Sequence, residues 1–136
     1  MKIKSYSELI TIPTLVGRFE YVKIQGKVSD ITFGNERWIN QRFYSSYEWR
    51  KLRDEIIIRD GGCEFGLADY PIMGSPIIHH LNPIRPLDLM DFNDAVINPD
   101  NLISVSHQVH NAIHYSDESL LPKDYVPRFP GDTKEW

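Results

Sequence analysis

Apolar positions along this chain recur with two periods, and the change between them marks out its elements. In TIPTLVGRFEYVKIQG (11–26), Leu15, Phe19 and Val22 are spaced as on one face of a helix, which predicts a short helix with Gly26 in the C-terminal position. VSDITFGNERW, which follows, is mixed and turn-rich and reads as a connector. SSYEWRKLRDEIIIRDGG (45–62) predicts the clearest helix of the N-terminal half. Trp49, Leu52, Ile56 and Ile57 form its apolar stripe, and Gly61–Gly62 end it. Ser45 or Ser46 can cap it, with Glu48 completing a capping box if the cap is Ser45. Arg50, Lys51, Arg53 and Asp54 occupy the opposite side.

Beyond residue 62 the pattern shortens. CEFGLADYPIMGSP is turn-rich and leads into a strand, IIHHL, stopped by Asn82-Pro83. IRPLDLMDFNDAVINPD reads as a long loop with a helical turn around Leu87 to Phe92. NLISVS predicts a second strand. HQVHNAIHY predicts a helix with Ser106 as its cap and Val109, Ala112 and Ile113 on its buried side. The Pro-punctuated remainder reads as an irregular arm. No repeat or low-complexity segment is present. The expected fold class is therefore α+β: preceding helices, a β-hairpin packed on a helix, and an irregular C-terminal arm. Residues 1–44 form an N-terminal extension, 45–116 the core, and 117–136 the arm.

The 136 residues suit one compact domain, which can bury roughly two-thirds of the surface its unfolded chain exposes. The net charge of −4 counts against a protein that coats nucleic acid, so any such contact must be local or made through a bound cation. Cys63 is alone, which rules out an internal disulfide and a four-thiolate zinc site. MKIKSYSELI lacks a secretory h-region, and no apolar run approaches the roughly 20 residues that span a bilayer. A soluble, cytoplasmic protein with no membrane partner is expected.

All five histidines fall in two short segments: His79 and His80 in the first strand, and His107, His110 and His114 in the last helix. On a helix His110 and His114 lie one turn apart on one face, so both imidazoles can reach one ion. A hairpin packed on that helix brings the histidine pair to the same place. Adjacent strand residues point to opposite faces, so His79 and His80 can share a centre only at the strand's end or across a distortion. One ligand and one neighbour that is not a ligand is the simplest reading. His107, at the helix start, is expected in solvent, and Asp100 beside Asn101 is expected to serve a turn.

IIHHLNPI followed by PDNLISVSHQVHNAIHY resembles the HNH endonucleases, whose fold is the ββα-metal, or His-Me, finger. FYSSYEWRKLRDEIIIRDGGCEFG before it is similar to small HNH proteins of phages and prophages. The resemblance implies a metal-dependent endonuclease that hydrolyses DNA phosphodiester bonds, nicking or cutting both strands. It makes His80 the general base, Asn101 the residue that fixes the loop around that base, and His79, His110 and His114 the metal ligands. One divalent cation would bridge the scissile phosphate and the departing 3′ oxygen. Three imidazoles suit Zn²⁺, Ni²⁺, Co²⁺ or Mn²⁺ more than Mg²⁺. Arg50, Arg53 and Arg59 are the candidate phosphate contacts. The setting implied is phage DNA in the host cytoplasm, beside the packaging terminase or as a free-standing nuclease. Many HNH proteins also hold a structural zinc on two Cys-x-x-Cys pairs. Here Gly66, Ser106 and Val109 stand where thiols would be needed, leaving Cys63 as a small buried hydrophobe. The alternative is a metal-stabilised nucleic-acid-binding or assembly module that does not cut, with His80 idle and His107 closing a structural shell.

Overall fold

A computed structural model describes residues 3–23, 37–84, 88–89 and 93–123, with the side chains of 37–40 left aside. Gly26, the body of the connector, most of the Leu87–Phe92 turn and residues 124–136 of the arm lie outside the described residues. The chain is mixed α+β, with helices around one small antiparallel sheet.

Two short helices open it, α1 (Tyr6–Leu9) and α2 (Leu15–Val22), each started by a hydroxyl cap: Ser5 Oγ accepts from Glu8 N and Thr14 Oγ1 from Gly17 N. Helices α3 (Arg37–Tyr44) and α4 (Tyr47–Arg59) follow. The cap of α4 is Ser46, whose hydroxyl accepts from Trp49 N. That choice puts Trp49, rather than Glu48, at the third helical position, so no capping box forms. Asp60 ends α4, and Gly61 and Gly62, both in the left-handed region, turn the chain away.

Strand β1 (Ile77–His80) pairs antiparallel with β2 (Leu102–Val105), placing Ile77 opposite Val105, Ile78 opposite Ser104, His79 opposite Ile103 and His80 opposite Leu102. Between them lies a short helix, α5 (Asp94–Ile97). Helix α6 (His107–Tyr115) follows β2 directly, with Ser106 Oγ accepting from Val109 N as its cap. The expected strand–loop–strand–helix order is present.

Because residues alternate faces along a strand, this thin sheet separates two apolar cores. On one side Ile77, Ile103 and Val105 pack with Val109, Ala112 and Ile113 of α6 and with Leu9, Leu15, Phe19 and Val22. The N-terminal extension thus contributes directly to the core that carries α6. On the other side Ile78 and Leu102 pack with Phe43, Trp49, Ile56, Leu89 and Val96.

Cys63 is buried and free, its thiol near the carbonyls of Gly61 and Ala68. The join between α4 and the β2–α6 corner is made by buried carboxylates. Asp60 Oδ2 accepts from Ser104 N at 2.8 Å, and Glu64 Oε1 accepts from Ser106 N at 2.7 Å. Buried Arg18 donates to the Phe65 and Ile12 carbonyls, both at 2.7 Å, bracing the same turn from α2. Phe65 itself adopts φ 50°, a conformation costly for a bulky residue. Its side chain is completely buried, and that packing offsets the strain.

Candidate metal centre

Val109, Ala112 and Ile113 lock one face of α6 to the sheet, which turns His110 and His114 toward the end of β1. There they meet His79. One nitrogen from each of the three rings lies within 4.8 Å of the other two, and the Nε2 atoms of His110 and His114 are 3.0 Å apart. Ring centroids are 4.3 Å apart for His110–His114, 5.6 Å for His79–His110 and 6.2 Å for His79–His114.

Two nitrogens on one tetrahedral ion lie about 3.3 Å apart, given Zn–N bonds of about 2.0–2.1 Å. Small side-chain rotations therefore suffice to bring all three onto one ion. An all-nitrogen set suits a borderline transition metal better than Mg²⁺. His79 and His110 also sit in the form that ligates. Burial, reinforced by His110, His80 and His114, pushes the His79 imidazole down to about 3. Burial and the neighbouring His114 and His107 push His110 down to about 4. Both are neutral at pH 7, as ligands must be. Among the described residues no fourth His, Cys, Asp or Glu joins the group. His107, the first residue of α6, is exposed and outside it.

His80 does not converge with the other three. β1 is regular through His80, with no bulge, so the adjacent histidines fall on opposite faces as the pleat requires. His80 lies on the α4 side. Its Nε2 is 3.0 Å from the Val96 carbonyl, and its ring stacks on Trp49 at a centroid distance of 5.8 Å and 16° between planes. A carbonyl only accepts, so Nε2 carries the proton and Nδ1 holds the lone pair. Burial lowers the His80 pKa, opposed in part by the Val96 bond, so the ring is neutral at pH 7. A neutral imidazole with a defined lone pair is what a general base needs.

Asn101 is buried just before β2. Its Oδ1 accepts from both the Asn82 backbone N (3.0 Å) and Asn82 Nδ2 (2.7 Å), and its Nδ2 donates to the Ala95 carbonyl. It thereby ties the end of β1 to α5, the helix that supplies Val96. Asn82 in turn exchanges hydrogen bonds with the backbone of Lys4. Asp100 accepts from Ser7 N and Oγ, docking α1 on the same loop.

The three arginines diverge. Arg59 is held within the fold: it donates to the Leu102 and Pro99 carbonyls, pairs with Asp60 at 3.0 Å, and lies 3.5 Å from the centre of the Tyr6 ring. Arg53 donates to the Pro76 carbonyl and lies 3.6 Å from Asp54. Only Arg50 is fully on the surface. The residues that sequence reasoning missed are Trp49 and Val96, the partners of His80. Trp49 was assigned to the core stripe, and a backbone carbonyl has no signature at all.

No family model, curated protein or solved structure matches this chain. No described helix is long and apolar enough to cross a membrane.

Proposed function

We propose that this chain is a metal-dependent endonuclease of the HNH type, hydrolysing DNA phosphodiester bonds on a ββα-metal framework. The observation that carries the reading is the convergence of His79, His110 and His114 from hairpin and helix, next in sequence to a histidine kept neutral by burial and fixed in one tautomer by a carbonyl. A three-histidine set leaves a coordination position for water or phosphate, as catalytic sites do and structural zinc sites do not. Bound there, a divalent ion would supply Lewis-acid stabilisation of charge on the phosphate and the leaving oxygen.

The protein's own part is distributed among named residues. His79, His110 and His114 hold the ion. His80 takes a proton from the attacking water at Nδ1. Asn101 fixes the loop that presents Val96 to His80. Among the described residues the sheet has two strands, so a phosphate at the outer edge of β1 would border both faces, the ligand side and the base side. Arg50 is the candidate phosphate contact. Phage DNA is the substrate that the resemblance suggests, with a packaging terminase as a candidate partner.

A second reading rests on one specific observation: His80 faces away from the triad, with one nitrogen and one ring face occupied. On that reading the chain is a metal-stabilised nucleic-acid-binding or assembly module that does not cut. A plasmid-nicking assay across Mg²⁺, Mn²⁺, Ni²⁺, Co²⁺ and Zn²⁺ separates the two. The nuclease reading expects conversion of supercoiled plasmid with at least one ion, and none by His80→Ala even when that variant is metal-loaded. Metal uptake without cleavage under every ion favours the module.

A further inference from the structure

The base proposed above is held by two contacts of different kinds. The Val96 carbonyl fixes which nitrogen carries the proton and which way round the ring sits. A single hydrogen bond leaves the ring free to swing about it, however, and the plane of the imidazole is defined by something else. Trp49 lies against one face of the ring, nearly parallel to it. Near-parallel, offset stacking is a favoured arrangement of aromatic rings.

We infer that Trp49 is a positioning residue, whose indole fixes the plane of the His80 ring and so the direction of its Nδ1 lone pair. The inference rests on the reading of His80 as general base. Trp49 is itself immobilised. Phe43 packs at 5.0 Å and Tyr44 at 5.3 Å between ring centroids, and Trp49 N is bonded to Ser46 Oγ. Helix α4 is pinned to the hairpin at several separate places: Arg53 to the Pro76 carbonyl, Arg59 to the Leu102 carbonyl, and Asp60 to Ser104 N. The indole therefore reports the position of the sheet to the imidazole with little slack. Trp49 is buried, so it can act on catalysis only through the groups it packs against, of which His80 is the one with a proposed chemical role.

The test compares Trp49→Leu, which fills volume without a ring, and Trp49→Phe with the full-length wild type. Metal uptake by the three histidines is expected to persist in both. Trp49→Leu should lower kcat tenfold to a hundredfold with KM unchanged, the scale on which a misaimed catalytic group costs rate. Trp49→Phe should recover most of the loss. Nuclear Overhauser contacts of the His80 ring protons should describe one ring orientation in the wild type and an average over several in Trp49→Leu. Wild-type kcat in Trp49→Leu, or an unchanged His80 ring orientation, overturns the inference, as does a loss confined to KM. Should Trp49→Leu not fold, the wild type decides: nuclear Overhauser contacts between the indole and His80, with a slowly exchanging Nε2–H, are expected, and their absence overturns it. If the wild type cuts no plasmid, the nuclease reading fails, while the ring-orientation contacts still decide whether Trp49 holds His80.

Discussion

His79 and His80 are the same side chain one residue apart, and their surroundings differ as the duties proposed for them do. His79 is turned to two other imidazoles and depressed to about 3, so it offers a lone pair to a cation. His80 has a carbonyl on one nitrogen, which reserves the other nitrogen for a proton. Substitution should separate these roles. His110→Ala is expected to abolish the rise in melting temperature that Zn²⁺ produces, because two imidazoles remain where three are needed. His80→Ala should keep that rise and lose only cleavage. A site a hundredfold saturated contributes about 2.7 kcal/mol, so differential scanning fluorimetry with and without Zn²⁺ reads the difference clearly. Equal zinc response in the two variants would place His80 among the ligands and sink the division of labour.

At the scale of elements, α6 is positioned from outside by Glu64, which accepts from the backbone N–H that begins the helix cap. Glu64 is buried, and burial raises its pKa despite the Ser106 bonds that oppose the rise. Glu64→Ala leaves the Ser106 N–H without an acceptor and should cost about 1–3 kcal/mol in urea unfolding. Glu64→Gln retains an acceptor and sheds the buried charge, so it should match or exceed wild-type stability. A Gln variant as weak as the Ala variant would show that the charge, not the acceptor, holds the corner.

This join also marks the limit of what the sequence discloses. The helices around Leu15–Val22 and Trp49–Ile56 and the last helix follow from periodicity, because each has one apolar side; the strands follow from short apolar runs bounded by turn residues. The histidine set follows from spacing once the hairpin is laid on the helix. Arg59 reads as a surface charge because its carbonyl partners, Pro99 and Leu102, lie some forty residues along the chain. Glu64 and Asp60 bond to backbone N–H groups, and backbone partners leave no trace in residue identity. The opposed facing of His79 and His80 was legible as a difficulty. Its resolution needed the Val96 and Trp49 contacts.

Over the whole molecule, the metal-free protein should weaken in mild acid. The imidazoles of His79 and His110 ionise at about 3 and about 4 in the fold, against about 6.5 when unfolded. The unfolded chain therefore takes up protons that the folded chain refuses. This stability is present above about pH 6.5 and is lost as pH falls toward 4. Glu64 works in the opposite sense, since a raised carboxyl pKa favours the fold as pH falls. With the more open His110 discounted for solvent screening, the loss between pH 7 and pH 5 should be about 2 kcal/mol, set mainly by His79. Urea midpoints in EDTA at the two pH values measure it. A midpoint that holds steady or rises would mean that the histidines are not desolvated together.

The ladder of β1 carries one last consequence. Its four residues are Ile-Ile-His-His, two apolar and then two basic, so each face receives one isoleucine and one histidine whichever way the strand is turned. Nothing in the strand's own side chains says which histidine should meet α6. A shift of one residue exchanges the faces. What forbids the shift lies just beyond the strand, where Leu81 N donates to the Asn101 carbonyl and Asn101 clasps both amide groups of Asn82. On the proposed reading, ligand and base are thus titles conferred by an asparagine that would touch neither the ion nor the proton. Misalign that one clasp, and two chemically intact histidines would each stand at the other's post.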